Sequence, residues 1–269
     1  MDLAELNGRG LVLVGCGRMG GALLKGWLAR GIEPGAVAVI DPDPPAWLSH
    51  AGVAANGALP DDPAVLVIAV KPQMMGDVLP RLQPGRAGRT LVLSVAAGVT
   101  LAAFARAFPG AAVVRTMPNT PAAIGQGITA IVGNDLADAS ALDLAHSLMA
   151  AVGNVVRLDD EAQMDAVTAL SGSGPAYVFH LIEAMAAAGA AQGLPPALAL
   201  DLARATVAGA GALAMAGDDD PAVLRANVTS PGGTTAAGLS VLMDESVGLP
   251  PLMAQTVAAA AARSRELGA

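Results

Sequence analysis

The sequence predicts an α/β fold, a doubly wound parallel sheet followed by an all-helical domain. Three observations carry that prediction. The stretch Leu11–Gly21, LVLVGCGRMGG, runs four apolar residues into a GxGxxG turn. Apolar runs then alternate with helix-like segments as far as Arg157, the pattern of βαβ units. Beyond Asp159 the strand-like runs cease, and alanine-rich helical segments punctuated by glycine and proline take over. The change places a boundary near residues 157–160, with domains expected over residues 1–158 and 159–269.

An uninterrupted apolar run such as Leu11–Val14 suits a strand buried on both faces. In Gly15-Cys16-Gly17-Arg18-Met19-Gly20 the first glycine permits a tight turn and the second lets backbone approach a pyrophosphate. The third allows close packing of the next helix, expected over Ala22–Ala29, whose N-terminus attracts phosphate charge. A second strand, Ala36–Ile40, ends in Asp41, about 20 residues beyond the loop, where a carboxylate accepts from a ribose 2′-OH. Together these features make a Rossmann-type dinucleotide site.

A proline-rich segment then leads into a short helix, followed by Gly52–Ala55 and Asn56. Ala64–Val70, Thr90–Val95, Ala111–Arg115, Ile128–Val132 and Asn154–Arg157 complete the strands. Ligands gather beyond the carboxyl ends of such strands, so the loops at 71–73, 96–100 and 116–121 should share one crevice with the glycine loop. The second domain reads as helices over Glu161–Leu170, Pro175–Gln192, Pro195–Ala216, Pro221–Asn227, Thr235–Met243 and Pro250–Leu267. Helices this rich in alanine bury little by themselves, so association at least to a dimer is expected through this domain.

Composition narrows the function classes. The 269 residues are 54% apolar but only 2% aromatic, so the core is built from Ala, Val, Leu and Met. A net charge of -8 offers no basic field for phosphates, and nucleic acid is not an expected partner. The mean hydropathy of +0.54 raises the question of a membrane. Thr116–Asn134 is broken by Pro, Gly and Asn, Asp201 and Arg204 interrupt the stretch after Pro196, and Ala205–Gly217 is short, so no span is expected. Met1–Glu5 lacks the pattern of a signal peptide. A single cysteine, Cys16, forms no intrachain disulfide and fits a cytoplasmic location. His50, His146 and His180 have no ligand spacing, and no metal site is expected.

Two further stretches carry hydroxyls beside glycine. Ser171-Gly172-Ser173-Gly174-Pro175 reads as a helix start with ordinary caps. Val228-Thr229-Ser230-Pro231-Gly232-Gly233-Thr234-Thr235 is denser than capping requires. Free N–H groups with hydroxyls at a helix start form a receptor for a small carboxylate.

The combination of GCGRMG, AVKPQ, SVAAGVT, RTMPNTP, TALSGSGPAY and VTSPGGTT resembles the pyrroline-5-carboxylate reductase family over nearly the whole chain. The resemblance implies an NAD(P)H-dependent reductase that converts the cyclic imine 1-pyrroline-5-carboxylate to L-proline, the last step of proline biosynthesis. It implies that Gly15, Cys16, Gly17, Arg18 and Met19 form the pyrophosphate loop and that Asn56 contacts the adenosine ribose. By the same resemblance Ala69, Val70, Lys71, Pro72, Val95, Ala96 and Ala97 line the cofactor crevice, with Asn119 beside the nicotinamide. Glu161, Asn227, Thr234 and Thr235 match substrate positions, with Thr235 the hydroxyl nearest the imine and the expected catalytic residue. Ser230, Gly232 and Gly233 join them as the carboxylate receptor.

Rival readings fit less of the chain. β-Hydroxyacid dehydrogenases place a catalytic lysine on a helix of the second domain, and no lysine follows Lys71 here. A nonenzymatic NAD(P)-sensing regulator would not need VTSPGGTT and Glu161 together; that regulator and a reductase of another small cyclic imine carboxylate are the alternative readings. The acidic run Asp41-Pro42-Asp43, without a local Arg or Lys, disfavours a 2′-phosphate. NADH is therefore expected to serve at least comparably to NADPH.

Overall fold

The structure, a computed structural model, describes residues 3–82 and 89–268. Met1, Asp2 and Ala269, which the N-terminal and second-domain readings include, lie outside the described residues. The chain forms two compact units, residues 1–172 with 260–269 and residues 173–259.

In the first unit α1 (Leu3–Arg9) precedes β1 (Leu11–Val14), α2 (Arg18–Ala29), β2 (Val37–Ile40), α3 (Trp47–His50) and β3 (Ala54–Ala55). Next come β4 (Val65–Ile68), α4 (Met75–Val78), β5 (Leu91–Ser94), α5 (Leu101–Ala107), β6 (Val113–Met117) and β7 (Gly127–Gly133). α6 (Ala139–Met149), β8 (Gly153–Arg157) and α7 (Met164–Val167) complete the run. The strands make one sheet in the order β3-β2-β1-β4-β5-β6-β7-β8. The first six strands of the sequence are parallel.

Alternate residues of each strand point to opposite faces, and both faces are covered. Leu11, Leu13, Val65, Val67, Leu91 and Leu93 pack with Leu23, Leu24 and Trp27 of α2 and Leu148 of α6. Val12, Val14, Leu66, Ile68 and Val92 pack with Phe104, Phe108 and Met164. This explains why the strands read as unbroken apolar runs instead of alternating ones.

The doubly wound parallel sheet is as expected, with one antiparallel pair. β7 pairs antiparallel with β6, and β8 follows β7 in parallel. Residues 118–126 between β6 and β7 hold only the 3-10 turn Thr120–Ile124, too short for a crossover helix, so the chain turns back. The single helix expected over Glu161–Leu170 is instead a 3-10 turn at Glu161–Gln163, α7, and a π-helical turn at Thr168–Gly172. Met164 and Ala169 are fully buried, and this segment packs with the sheet unit beyond the change in composition near residue 158.

The second unit holds α8 (Gly174–Ala191), α9 (Pro196–Met215), α10 (Pro221–Asn227), α11 (Thr234–Leu242) and the first part of α12 (Leu249–Gly268). α8 and α9 meet through small residues: a Cβ on Gly189 would lie 3.3 Å from the Cβ of Ala199. Among residues 173–259 only Ala199, Ala203 and Gly248 are buried, while Phe179, Leu202, Met215 and Val247 stand exposed. By length and composition α9 is apolar enough to cross a membrane, although Asp201 and Arg204 lie within it. One continuous helix joins the apolar stretches that Asp201 and Arg204 divide in the sequence.

Candidate active site

The glycine loop has the geometry its residue types require. Gly15 sits at φ +91°, and a Cβ there would come within 2.8 Å of the Ala69 carbonyl oxygen. Gly20 packs against Gly15 so closely that a side chain would strike its carbonyl. A Cβ on Gly17 would point into open space, with nothing beyond its chain neighbours within 4 Å. Packing demands glycine at 15 and 20, whereas at 17 the open space leaves room for a ligand to approach the backbone. α2 starts at Arg18, earlier than expected, because Gly17 is its N-cap and supplies no side-chain cap. The first-turn N–H groups are therefore left for an anion. These residues fit a dinucleotide pyrophosphate.

Asp41 is tied to this loop. The Cys16 N–H donates to its Oδ2 at 2.6 Å, and the Asp43 N–H to its Oδ1 at 2.9 Å. Asn56 pairs with the backbone of Asp41 in both directions, accepting from its N–H at 3.1 Å and donating to its carbonyl at 2.8 Å. Asn56 is the one non-glycine residue at positive φ among the described residues, at 55°. Asparagine tolerates that left-handed conformation. Burial, reinforced by the Asp41 charge and opposed by Lys25, pushes the Cys16 thiol up to about 11, so it stays protonated at neutral pH. Lys25 itself lies 4.8 Å from the ring centre of Trp47.

The remaining strand ends carry the other expected crevice residues. The Ala69 N–H donates to Val14 O at 2.7 Å, and Lys71-Pro72 leads into a 3-10 turn. The Val95 N–H donates to Ile68 O at 3.0 Å, and Ala96 is buried and held by the Ser94 hydroxyl at 3.2 Å, while Ala97 follows in the turn. Asn119 accepts from the Ile128 N–H at 2.9 Å and donates to Ser171 O at 3.3 Å, joining β7 to the π-helical turn. A Cβ on Gly172 would collide with the Met117 side chain, so this glycine is required by packing. Ser173 forms no side-chain cap on α8, against the expectation that the hydroxyls of this stretch act as caps.

Glu161 occupies a place that sequence reasoning did not foresee. Its Oε1 accepts from Arg115 Nη1 at 2.7 Å and from the Leu101 N–H at 2.8 Å. The Arg115 side chain is 5% exposed and that of Glu161 27%. The one visible signal was a lone basic residue within the apolar run Ala111–Arg115.

In the second unit the VTSPGGTT stretch connects α10 to α11. Asn227 ends α10, and the Thr229 hydroxyl donates to Arg225 O at 2.6 Å, which is a helix-end role. Gly232 lies at φ +71°, the Gly233 N–H donates to Ser230 O at 3.0 Å, and a Cβ on Gly233 would lie 2.6 Å from Ser230 Oγ. Gly233 is the N-cap of α11 and provides no side-chain cap, so the amides at Thr234 and Thr235 open this helix uncapped. Among the described residues no hydrogen bond ties down the hydroxyls of Ser230, Thr234 and Thr235, and the group has the make-up of a carboxylate receptor.

Comparison with known proteins agrees with both halves. Residues 161–267 match the family model for pyrroline-5-carboxylate reductase dimerisation, and residues 11–98 match that for NADP oxidoreductase, coenzyme F420-dependent. The chain is 48% identical over 204 residues to a pyrroline-5-carboxylate reductase of Synechocystis, covering 76% of this chain and 75% of that one. A pyrroline-5-carboxylate reductase structure from Coxiella burnetii superposes with a TM-score of 0.86 at 32% identity, covering 97% and 99% of the two chains. One from Plasmodium falciparum, solved with NADP bound, gives 0.84 at 27% identity over 98% and 100%. The sheet, the glycine loop and these matches define an oxidoreductase with a nicotinamide cofactor, and its helical domain serves self-association. The chain belongs to the pyrroline-5-carboxylate reductase family.

Proposed function

We propose that this chain reduces 1-pyrroline-5-carboxylate to L-proline with NAD(P)H, the last step of proline biosynthesis. The observation that carries the reading is the uncapped start of α11, Gly233-Thr234-Thr235, in a chain that also holds an intact glycine loop. The substrate is a ring imine bearing one carboxylate. The α11 amides with Ser230 and Thr234 hold that carboxylate, and Asn227, Gly232 and Gly233 shape the receptor. The Thr235 hydroxyl hydrogen-bonds the ring nitrogen.

A nicotinamide held along Ala69–Pro72, Val95–Ala97 and Asn119 would supply the hydride for the imine carbon, and the protonated nitrogen would take the C=N electron pair. A protonated imine is electrophilic without further activation, so the protein's contribution is chiefly orientation. An alcohol is a weak acid, and Thr235 orients the nitrogen instead of protonating it. Glu161 acts through Arg115 and the Leu101 amide, as a positioning residue.

For the cofactor, the proposal places the pyrophosphate at Gly15–Met19 and the adenosine ribose at Asp41 and Asn56. The nicotinamide end lies along Ala69–Pro72, Val95–Ala97 and Asn119. The Asp41 carboxylate favours a free 2′-OH over a 2′-phosphate, so NADH serves at least comparably to NADPH. The active form is a dimer or a larger assembly. The test is oxidation of NADH and of NADPH by purified protein with 1-pyrroline-5-carboxylate, with proline identified as product. No turnover with either cofactor defeats the reading.

A further inference from the structure

The end of α12 belongs to the first unit, and it reaches the loop that follows β5. Ser264 is the one buried residue of α12, at 4% exposure. A buried hydroxyl is costly unless bonded. This one donates to Asp165 Oδ1 at 2.6 Å, a short charge-assisted bond. Asp165 adjoins Met164, which is fully buried in the same cluster as Ala96 and Leu101. The tail is thereby fastened to the core that underlies the loop.

Three residues further on, the tail meets the loop itself. Gly98 adopts φ +76°, and a Cβ there would lie 3.1 Å from Leu267 Cβ and 3.3 Å from the Leu267 carbonyl. A Cβ on Gly268 would in turn lie 2.7 Å from Gly98 O. Two backbones touch here, with glycine on each side. At its far end the loop is held by Glu161, which accepts from the Leu101 N–H. The middle of the loop thus rests on the α12 tail, which Ser264 ties to Asp165, and its end is held directly by Glu161.

We propose that the end of α12 is a strap that fixes the 95–100 loop in the position cofactor binding requires, with Ser264 and Asp165 as its positioning residues. The inference rests on the reading that Val95, Ala96 and Ala97 line the cofactor crevice. A glycine loop held only at its ends samples many backbone states. Binding must then select one of them, which weakens apparent affinity in proportion to its population.

Ser264→Ala removes the hydroxyl without altering the loop. The expected result is a rise of about threefold or more in the NADH Kd, read by tryptophan fluorescence, and in the KM for NADH. Under saturating NADH, kcat and the KM for 1-pyrroline-5-carboxylate should stay within about twofold of wild type. Ser264→Thr, which keeps a hydroxyl, should restore the NADH Kd. Ala97→Asp tests the underlying reading, and should weaken NADH whether or not the strap matters. An unchanged Kd in Ser264→Ala beside a weakened one in Ala97→Asp overturns the strap. An unchanged Kd in both removes the loop from the cofactor site. A fall in kcat with a rise in both KM values, without rescue by threonine, marks general destabilisation and also overturns the strap.

Discussion

The Cys16 amide donates a 2.6 Å hydrogen bond to the Asp41 carboxylate, joining the glycine loop to the end of β2. With the Asp43 N–H bonded to the other oxygen, the carboxylate is fixed at the Cys16 amide of the glycine loop. Cofactor choice is expected to turn on this group. Wild type should show comparable kcat/KM with NADH and NADPH, or favour NADH. Asp41→Ser should shift the ratio toward NADPH by about tenfold, since a charged hydrogen bond is worth roughly 1.5–3 kcal/mol. Both cofactors should also bind somewhat less well, because the loop loses its tie. A large wild-type preference for NADPH defeats the assignment.

Thr235→Ala should reduce turnover with 1-pyrroline-5-carboxylate by about tenfold or more, the cost of one hydrogen bond to a charged nitrogen. The Kd for NADH should remain near wild type. Equal turnover in the two proteins removes Thr235 from the reaction.

Arg115→Ala strands the Glu161 carboxylate beside a buried strand. Breaking a buried ion pair costs about 3–5 kcal/mol. Glu161 is partly solvated, so urea unfolding should show a loss nearer 2–3 kcal/mol. Replacing the pair together, as Arg115→Met with Glu161→Gln, should cost less than Arg115→Ala alone. Additive losses argue against direct coupling.

The Cys16 thiol, pushed up to about 11 chiefly by burial, should resist alkylation. At pH 8 iodoacetamide should modify the folded protein at least about tenfold more slowly than the urea-unfolded chain. The linkage follows the same direction. Above pH 9 the unfolded thiol ionises while the folded one does not, so stability is retained below pH 9 and falls as pH rises toward 11. Rapid alkylation of the native enzyme at pH 8 contradicts this.

The helical unit leaves Phe179, Leu202, Met215 and Val247 exposed and buries almost nothing of its own. Sedimentation at micromolar concentration should therefore show a dimer or larger assembly. A stable, fully active monomer would falsify that expectation.

The amino-acid sequence by itself determined the features whose causes are local. Unbroken apolar runs such as Leu11–Val14 imply strands covered on both faces, because consecutive side chains alternate and neither side tolerates a polar group. The positive φ of Gly15 and the approach of Gly20 to the Gly15 carbonyl arise within one turn–helix unit, whereas the Ala69 carbonyl that also bars a side chain at Gly15 comes from beyond β4. The helices from Pro175 onward were legible from composition to within a residue or two, while Glu161–Leu170 was not the single helix expected. Tertiary structure decided what depends on residues far apart in the chain. The direction of β7 follows from the connection it receives, which apolar periodicity does not encode. The 161–172 segment carries helix-forming residues, yet Met164 and Ala169 must enter the core while Gly172 clears Met117, and the helix changes pitch to do both. Arg115 meets Glu161, and Ser264 meets Asp165, only once the sheet has brought those segments together. Pairing energies of that kind depend on distance in space, and no spacing rule along the chain expresses them.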